Sequence, residues 1–156
     1  MPPRGTIGTP ESNRDPGAPM LINCVAYENG AKLADIPVES ISDYISRPGC
    51  FVWVALSDAT PEELAVMQLE FGLHSLAVED AQHGHQRPKV EEYGDSLFVV
   101  MHLVEPSDAG EQCIHVGEVD VFVGSNYVLS VRNRSRQGFL GVRAVSYTHL
   151  TLPTKA

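Results

Sequence analysis

Cysteine is scarce in this 156-residue chain: Cys24, Cys50 and Cys113 lie far apart, and no Cys-x-x-Cys pair occurs. That excludes a disulfide framework and argues against a structural zinc centre. Each cysteine sits in or beside an apolar run, so each is expected to be a small buried hydrophobe in a reducing compartment. Positive charge is also thin, with 11 Lys and Arg against 20 Asp and Glu and a formal net charge of -9. Nucleic acid and anionic membrane surfaces need a basic face, so neither is expected as a partner; a cation or a basic surface suits this chain better. The arginines after residue 131 lack interleaved aromatics and read as a solvated segment. No apolar run approaches the ~18 residues of a membrane span. The N-terminus has no apolar h-region, so the polypeptide as it stands is expected to be soluble and cytoplasmic. There is no Gly-x-Ser-x-Gly, no Gly-rich phosphate loop and no nucleophile–base arrangement, so an enzyme is not expected.

What is present suits one folded domain, with 43% hydrophobic and 20% charged residues. Residues 1–19 are rich in Pro and Gly with almost no apolar side chains, which predicts a disordered leader. The domain proper is assigned to residues 20–144. Residues 20–27 and 32–36 read as strands joined at Glu28-Asn29-Gly30. Pro37 can open a helix whose buried face is Ile41, Tyr44 and Ile45. Residues 51–56 are apolar on both faces, as in a central strand. Thr60-Pro61-Glu62-Glu63 is a helix start with a capping box, and Leu64, Met67 and Phe71 line one face up to Gly72. A short helix follows over 75–82, stopped by Gly84. Strands are expected over 89–93, 97–104, 114–123 and 127–131, with Gly117 marking a bulge and Gly124-Ser125-Asn126 a turn. The order predicts an α/β fold with a mixed, mainly antiparallel central sheet and helices on its faces.

The stretch from Phe71 to Val100 carries most of the chemistry-bearing residues. Glu79 and Asp80 fall late in the short helix, where acids oppose the macrodipole. A bound cation would compensate them. Adjacent helical residues point about 100° apart, so the two carboxylates cannot close on one ion from the same side. Magnesium takes one or two protein carboxylates and keeps several waters, so half a site, completed by another element or subunit, is chemically reasonable. The alternative is a solvated acidic face, and the residues alone favour it. His74, His83 and His85 invite a zinc reading, but no nearby cysteine or helical His-x-x-x-His pair supports it. Arg87 and Lys89 flank Pro88. They could bind an anion or pair with Glu79 or Asp80, but a loop-to-strand junction is the simpler account, with Arg87 and Pro88 shaping the turn.

The runs F-G-L-H-S-L-A-V-E-D, H-Q-R-P-K-V and Y-G-D-S-L-F-V-V resemble the N-terminal cytoplasmic domain of CorA-type magnesium and cobalt transporters. Pro61-Glu62-Glu63-Leu64 and G-E-V-D-V-F-V-G-S-N-Y-V-L-S-V-R support the resemblance, which covers about residues 20–133. It implies the αβα layering of that domain. It also implies a homopentameric divalent-cation channel of the bacterial inner membrane, with this domain in the cytoplasm and the membrane reached only through helices beyond this chain. Asp80 matches a family acid that helps hold a regulatory Mg2+ between subunits, and Glu79 matches its neighbour; the partner acids belong to later helices. Ser75 stands where proline is common in the family, and Ser can cap the same helix. A zinc-transporting relative and a free-standing cation-binding module are the alternatives. Residues 145–156 have no link to what precedes; 145–150 resemble a translated sequencing-adapter sequence, so this tail is expected to be non-native.

Overall fold

The computed structural model describes residues 21–107 and 113–135. The leader, the tail and the segment between Arg136 and Arg143 lie outside the described residues. Strands β1 (Leu21–Glu28) and β2 (Ala31–Asp35) form a hairpin. Asn29 and Gly30 both take positive φ, 50° and 82°, as a tight two-residue turn requires. The helix expected after Pro37 is short: a single 3-10 turn (Val38–Ser40) leads into α1 (Ile41–Ile45). Neither has a side-chain N-cap, which agrees with their brevity.

Strand β3 (Cys50–Ser57) leads to α2 (Pro61–Phe71). The Thr60 hydroxyl accepts from the Glu63 N–H at 3.2 Å, and the Glu63 carboxylate accepts from the Thr60 N–H at 2.8 Å, closing the capping box. Gly72, at φ 66°, ends the helix. Helix α3 (Ser75–His83) precedes β4 (Lys89–Tyr93), β5 (Ser96–Pro106), β6 (Ile114–Val123) and β7 (Tyr127–Asn133).

The seven strands of the described residues form one sheet in the order β2-β1-β3-β7-β6-β5-β4. Only β3 and β7 pair in parallel; the other neighbours are antiparallel. The sheet is therefore mixed and mainly antiparallel, with β3, apolar on both faces, near its middle. Ile41, Leu64, Met67, Phe71, Ala77, Val78 and Ala81 pack with Val52, Val54, Leu56, Phe98, Val100, Phe122, Leu129 and Val131 in one core. The strand residues in that set share one parity along each strand, so the three helices cover one face. Val25, Tyr27 and Val119, of the opposite parity, are buried too, so both faces are covered near the sheet centre.

Two expectations need correction. β5 and β6 pair in continuous register through Leu103 and Gly117, so Gly117 marks no bulge against β5. Its role is close approach: a Cβ there would sit 3.1 Å from the Ser135 Cα. Cys24 and Cys50 are buried as expected, but Cys113 is exposed. Burial, followed by the charges of Glu39 and Asp35, pushes the Cys24 thiol up to about 11.

Candidate functional site

Helix α3 settles where the adjacent acids point. Ala77, Val78 and Ala81 face the sheet. Asp80, one turn after Ala77, comes out at the helix margin and is half-buried. Glu79, about 100° around the axis, faces solvent. The helix is capped by His74 rather than Ser75: its Nδ1 accepts from the Leu76 N–H at 3.3 Å, because His74 is the last residue with extended backbone. The His74 ring also stacks on Tyr93, with centroids 4.3 Å apart. That stacking ties the start of α3 to the end of β4.

The chain leaves α3 at Gly84 and crosses to β4 through Pro88. This brings Lys89 back under the helix. Its Nζ lies 2.6 Å from Asp80 Oδ2 and 3.1 Å from Glu91 Oε1. Lys89 is therefore more than part of a turn: it is the counter-charge of Asp80. The bond to Asp80 is the largest influence raising its pKa. Tyr93 donates to Glu91 Oε2 at 2.9 Å, which extends the polar chain along β4. Arg87 and Pro88 are both exposed at the entry to β4, and no hydrogen bond or ion pair holds the Arg87 guanidinium among the described residues.

The histidines do not converge. His74 caps, His83 Nδ1 bonds the Glu79 carbonyl at 2.8 Å, and His85 is exposed with φ 55°. Among the described residues no group of three His, Cys, Asp or Glu side chains is placed to hold a metal ion. Asp80 and Glu79 are hard oxygen donors suited to Mg2+. Without outside ligands they are an incomplete set.

The sequence reading passed over the acids of β6. Glu118, Asp120 and Phe122 share a parity, and Phe122 belongs to the core, so the two carboxyls face inward beneath α3. Their exposures are 1% and 0%. Glu118 Oε2 accepts from the Gln86 N–H at 3.0 Å, and Asp120 Oδ2 from Asn133 Nδ2 at 3.1 Å. The other oxygen of each has no hydrogen-bond donor among the described residues. Burial, followed by the neighbouring Glu118 carboxyl, pushes Asp120 up to about 8. The available signal was parity: the acids alternate with valines but fall in step with Phe122.

Comparison with known proteins gives this arrangement a context. Residues 49–145 match the family model of the CorA-like Mg2+ transporter protein. The chain belongs to that family. A Bacillus subtilis (strain 168) protein named for metal ion transport, YfjQ, is 28% identical over 129 residues, which is 81% of this chain and 38% of the relative. Among solved structures, full-length CmaX superposes with a TM-score of 0.67 at 19% identity, over 86% of this chain and 41% of that one. The complete CorA magnesium transporter from Methanocaldococcus jannaschii gives 0.55 at 15% identity, over 81% and 37%. The ZntB cytoplasmic domain from Vibrio parahaemolyticus gives 0.62 at 9% identity, over 85% and 51%. At these identities the structural likenesses establish the fold. The chain spans less than half the length of the full-length relatives it matches. The CorA-family span encloses α3, Glu79, Asp80, the crossing to β4 and the acids of β6. No helix among the described residues is long and apolar enough to cross a membrane.

Proposed function

We propose that residues 20–144 are the magnesium-sensing cytoplasmic domain of a CorA-family divalent-cation transporter. In this reading Asp80 and Glu79 supply half of a regulatory Mg2+ site at the contact between neighbouring subunits of a homopentamer. The observation that carries it is the position of Asp80. It lies inside the family-matched span, at the open margin of α3, with Lys89 as its only ion-pair partner among the described residues. A side chain already held beside one cation is oriented to accept another. Mg2+ on Asp80 would take over the charge compensation that Lys89 provides, with Glu79 contributing through bound water. Arg87 and Pro88 set the turn that returns Lys89 beneath the helix.

The regulation is electrostatic. A divalent ion shared between acids of adjacent subunits holds them together, and its loss leaves like charges that loosen the contact. Magnesium and cobalt are the ions proposed for transport through the membrane helices of the parent protein.

The test is a magnesium titration of proteolytic protection in the full-length parent. Mg2+ is expected to protect the parent, and Asp80→Asn to shift protection to several-fold higher magnesium. Identical titrations for the two proteins would overturn Asp80 as a ligand. For the 156-residue chain, calorimetry is expected to show only weak Mg2+ binding; tight stoichiometric binding would make the site complete and the shared-site reading wrong.

A further inference from the structure

The β6 acids sit within a polar row that strand register fixes. Glu118 is paired with His102 on β5 and Asn133 on β7; Asp120 is paired with Val100 and Val131. Above them passes the segment joining α3 to β4. Gln86 is held there through both of its backbone polar groups: its N–H donates to Glu118 Oε2 at 3.0 Å, and its carbonyl accepts from His102 Nε2 at 2.9 Å. Gly84 lies directly over the second oxygen of Glu118, 3.8 Å from where a Cβ would stand. His85, between them, keeps a left-handed φ of 55°, a conformation that costs a non-glycine residue energy unless its surroundings impose it.

The donor count of this row is one short. Among the described residues each carboxyl has one satisfied oxygen and one bare, fully buried oxygen. Two carboxylates are acceptors only, so they cannot bond one another. One proton placed between them supplies the missing donor and removes one of two adjacent buried charges. Arg87 and Arg134 are exposed, outside the buried row. Lys89 is engaged by Asp80 and Glu91, the Asp80 charge opposes ionisation, and His102 spends its Nε2–H on the Gln86 carbonyl. Asn133 already donates to Asp120.

We propose that Glu118 and Asp120 form a one-proton latch that pins the α3–β4 segment to the sheet and releases it when the proton leaves. The pair is stable while it shares a proton. Deprotonation puts two like charges side by side in a buried site where Lys89, a cation that favours ionised Asp120, is already held by Asp80 and Glu91. Opening the Gly84–Gln86 peptides admits water to both. Because that segment carries the strand entry to Lys89, release also unsettles the partner of Asp80. The latch itself does not depend on magnesium.

Direction follows from proton linkage. The carboxyl is protonated more strongly when the segment is closed, so opening is favoured as pH rises from about 4, the ordinary carboxyl value, and levels off once the closed form has lost its proton. The experiment is amide hydrogen exchange of the 156-residue chain by NMR between pH 5 and 9, corrected for intrinsic rates. Protection at Gln86 is expected to fall by up to roughly tenfold per pH unit and then level off near pH 8, while amides of the β1–β2 hairpin show no such trend. In Asp120→Asn, Gln86 protection should lose its pH dependence. A flat profile in the parent chain, or an unchanged slope in the variant, would overturn the latch. The Asp120 carboxyl carbon shift in the parent chain gives an independent readout if the variant does not fold: a midpoint near 8 supports the proposal, and one near 4 refutes it.

Discussion

Single residues in this domain are chosen for what their neighbours leave them. Gly117 and Gly124 are both required by close approach rather than by left-handed backbone. A Cβ on Gly117 would press on the Ser135 backbone at 3.1 Å, and one on Gly124 would fall 2.1 Å from the Tyr127 ring. Alanine at either site is expected to destabilise the fold by roughly 1–3 kcal/mol, with Gly124 the more costly because a ring stacked on Phe71 must shift. Urea unfolding midpoints check the order. The cysteines make a second contrast. Cys113 is exposed, whereas Cys24 is buried with its thiol pushed up to about 11. Alkylation at pH 8 is expected to modify Cys113 in the native protein and leave Cys24 unmodified until unfolding; mass spectrometry of the labelled peptides decides it. None of these contacts can be read from spacing. Gly117 looked like a bulge because the chain alternation shifts phase there, and only the passage of Ser135 explains the glycine.

At the scale of elements, local chemistry was the most legible. Thr60 and Glu63 spell out a capping box, and both bonds are made. Thr60→Ala is expected to cost about 1 kcal/mol, visible as a lower thermal midpoint with an unchanged α2–α3 packing pattern in NMR spectra. Helix α3 was placed to within a residue, yet its cap is His74, since capping depends on which residue turns extended first. The Asp80–Lys89 pair was one of several options in the sequence, because eight intervening residues do not fix where a crossing segment returns. The pair is about 70% buried on both sides, so solvent screening holds its worth to around 1 kcal/mol. Lys89→Met removes a competing positive charge from Asp80. It is expected to tighten Mg2+ binding by the full-length parent about fivefold, read by calorimetry. Unchanged or weaker affinity would mean that Lys89 orients Asp80 more than it competes.

At the scale of the molecule, the buried acids link the sheet to solution conditions. Asp120, raised to about 8 mainly by burial, binds its proton more tightly folded than unfolded. Stability from this group is therefore greatest below about pH 4 and is lost progressively as pH rises towards 8. Against the acid losses of the remaining carboxylates, Asp120→Asn is expected to flatten the fall in stability between pH 6 and 8 and to raise stability at pH 8. Denaturant titrations at three pH values measure both effects. The sequence by itself determined the strands and α-helices of the described residues, the capping box, the family and the position of Asp80 on a helix, because periodicity and turn chemistry are local. Tertiary structure alone decided that Lys89 meets Asp80, that Gly117 makes room for Ser135, and that Glu118 and Asp120 lie inside. Those outcomes depend on which strand face the α3–β4 segment covers, and alternation along one strand cannot say which of its two faces will be roofed.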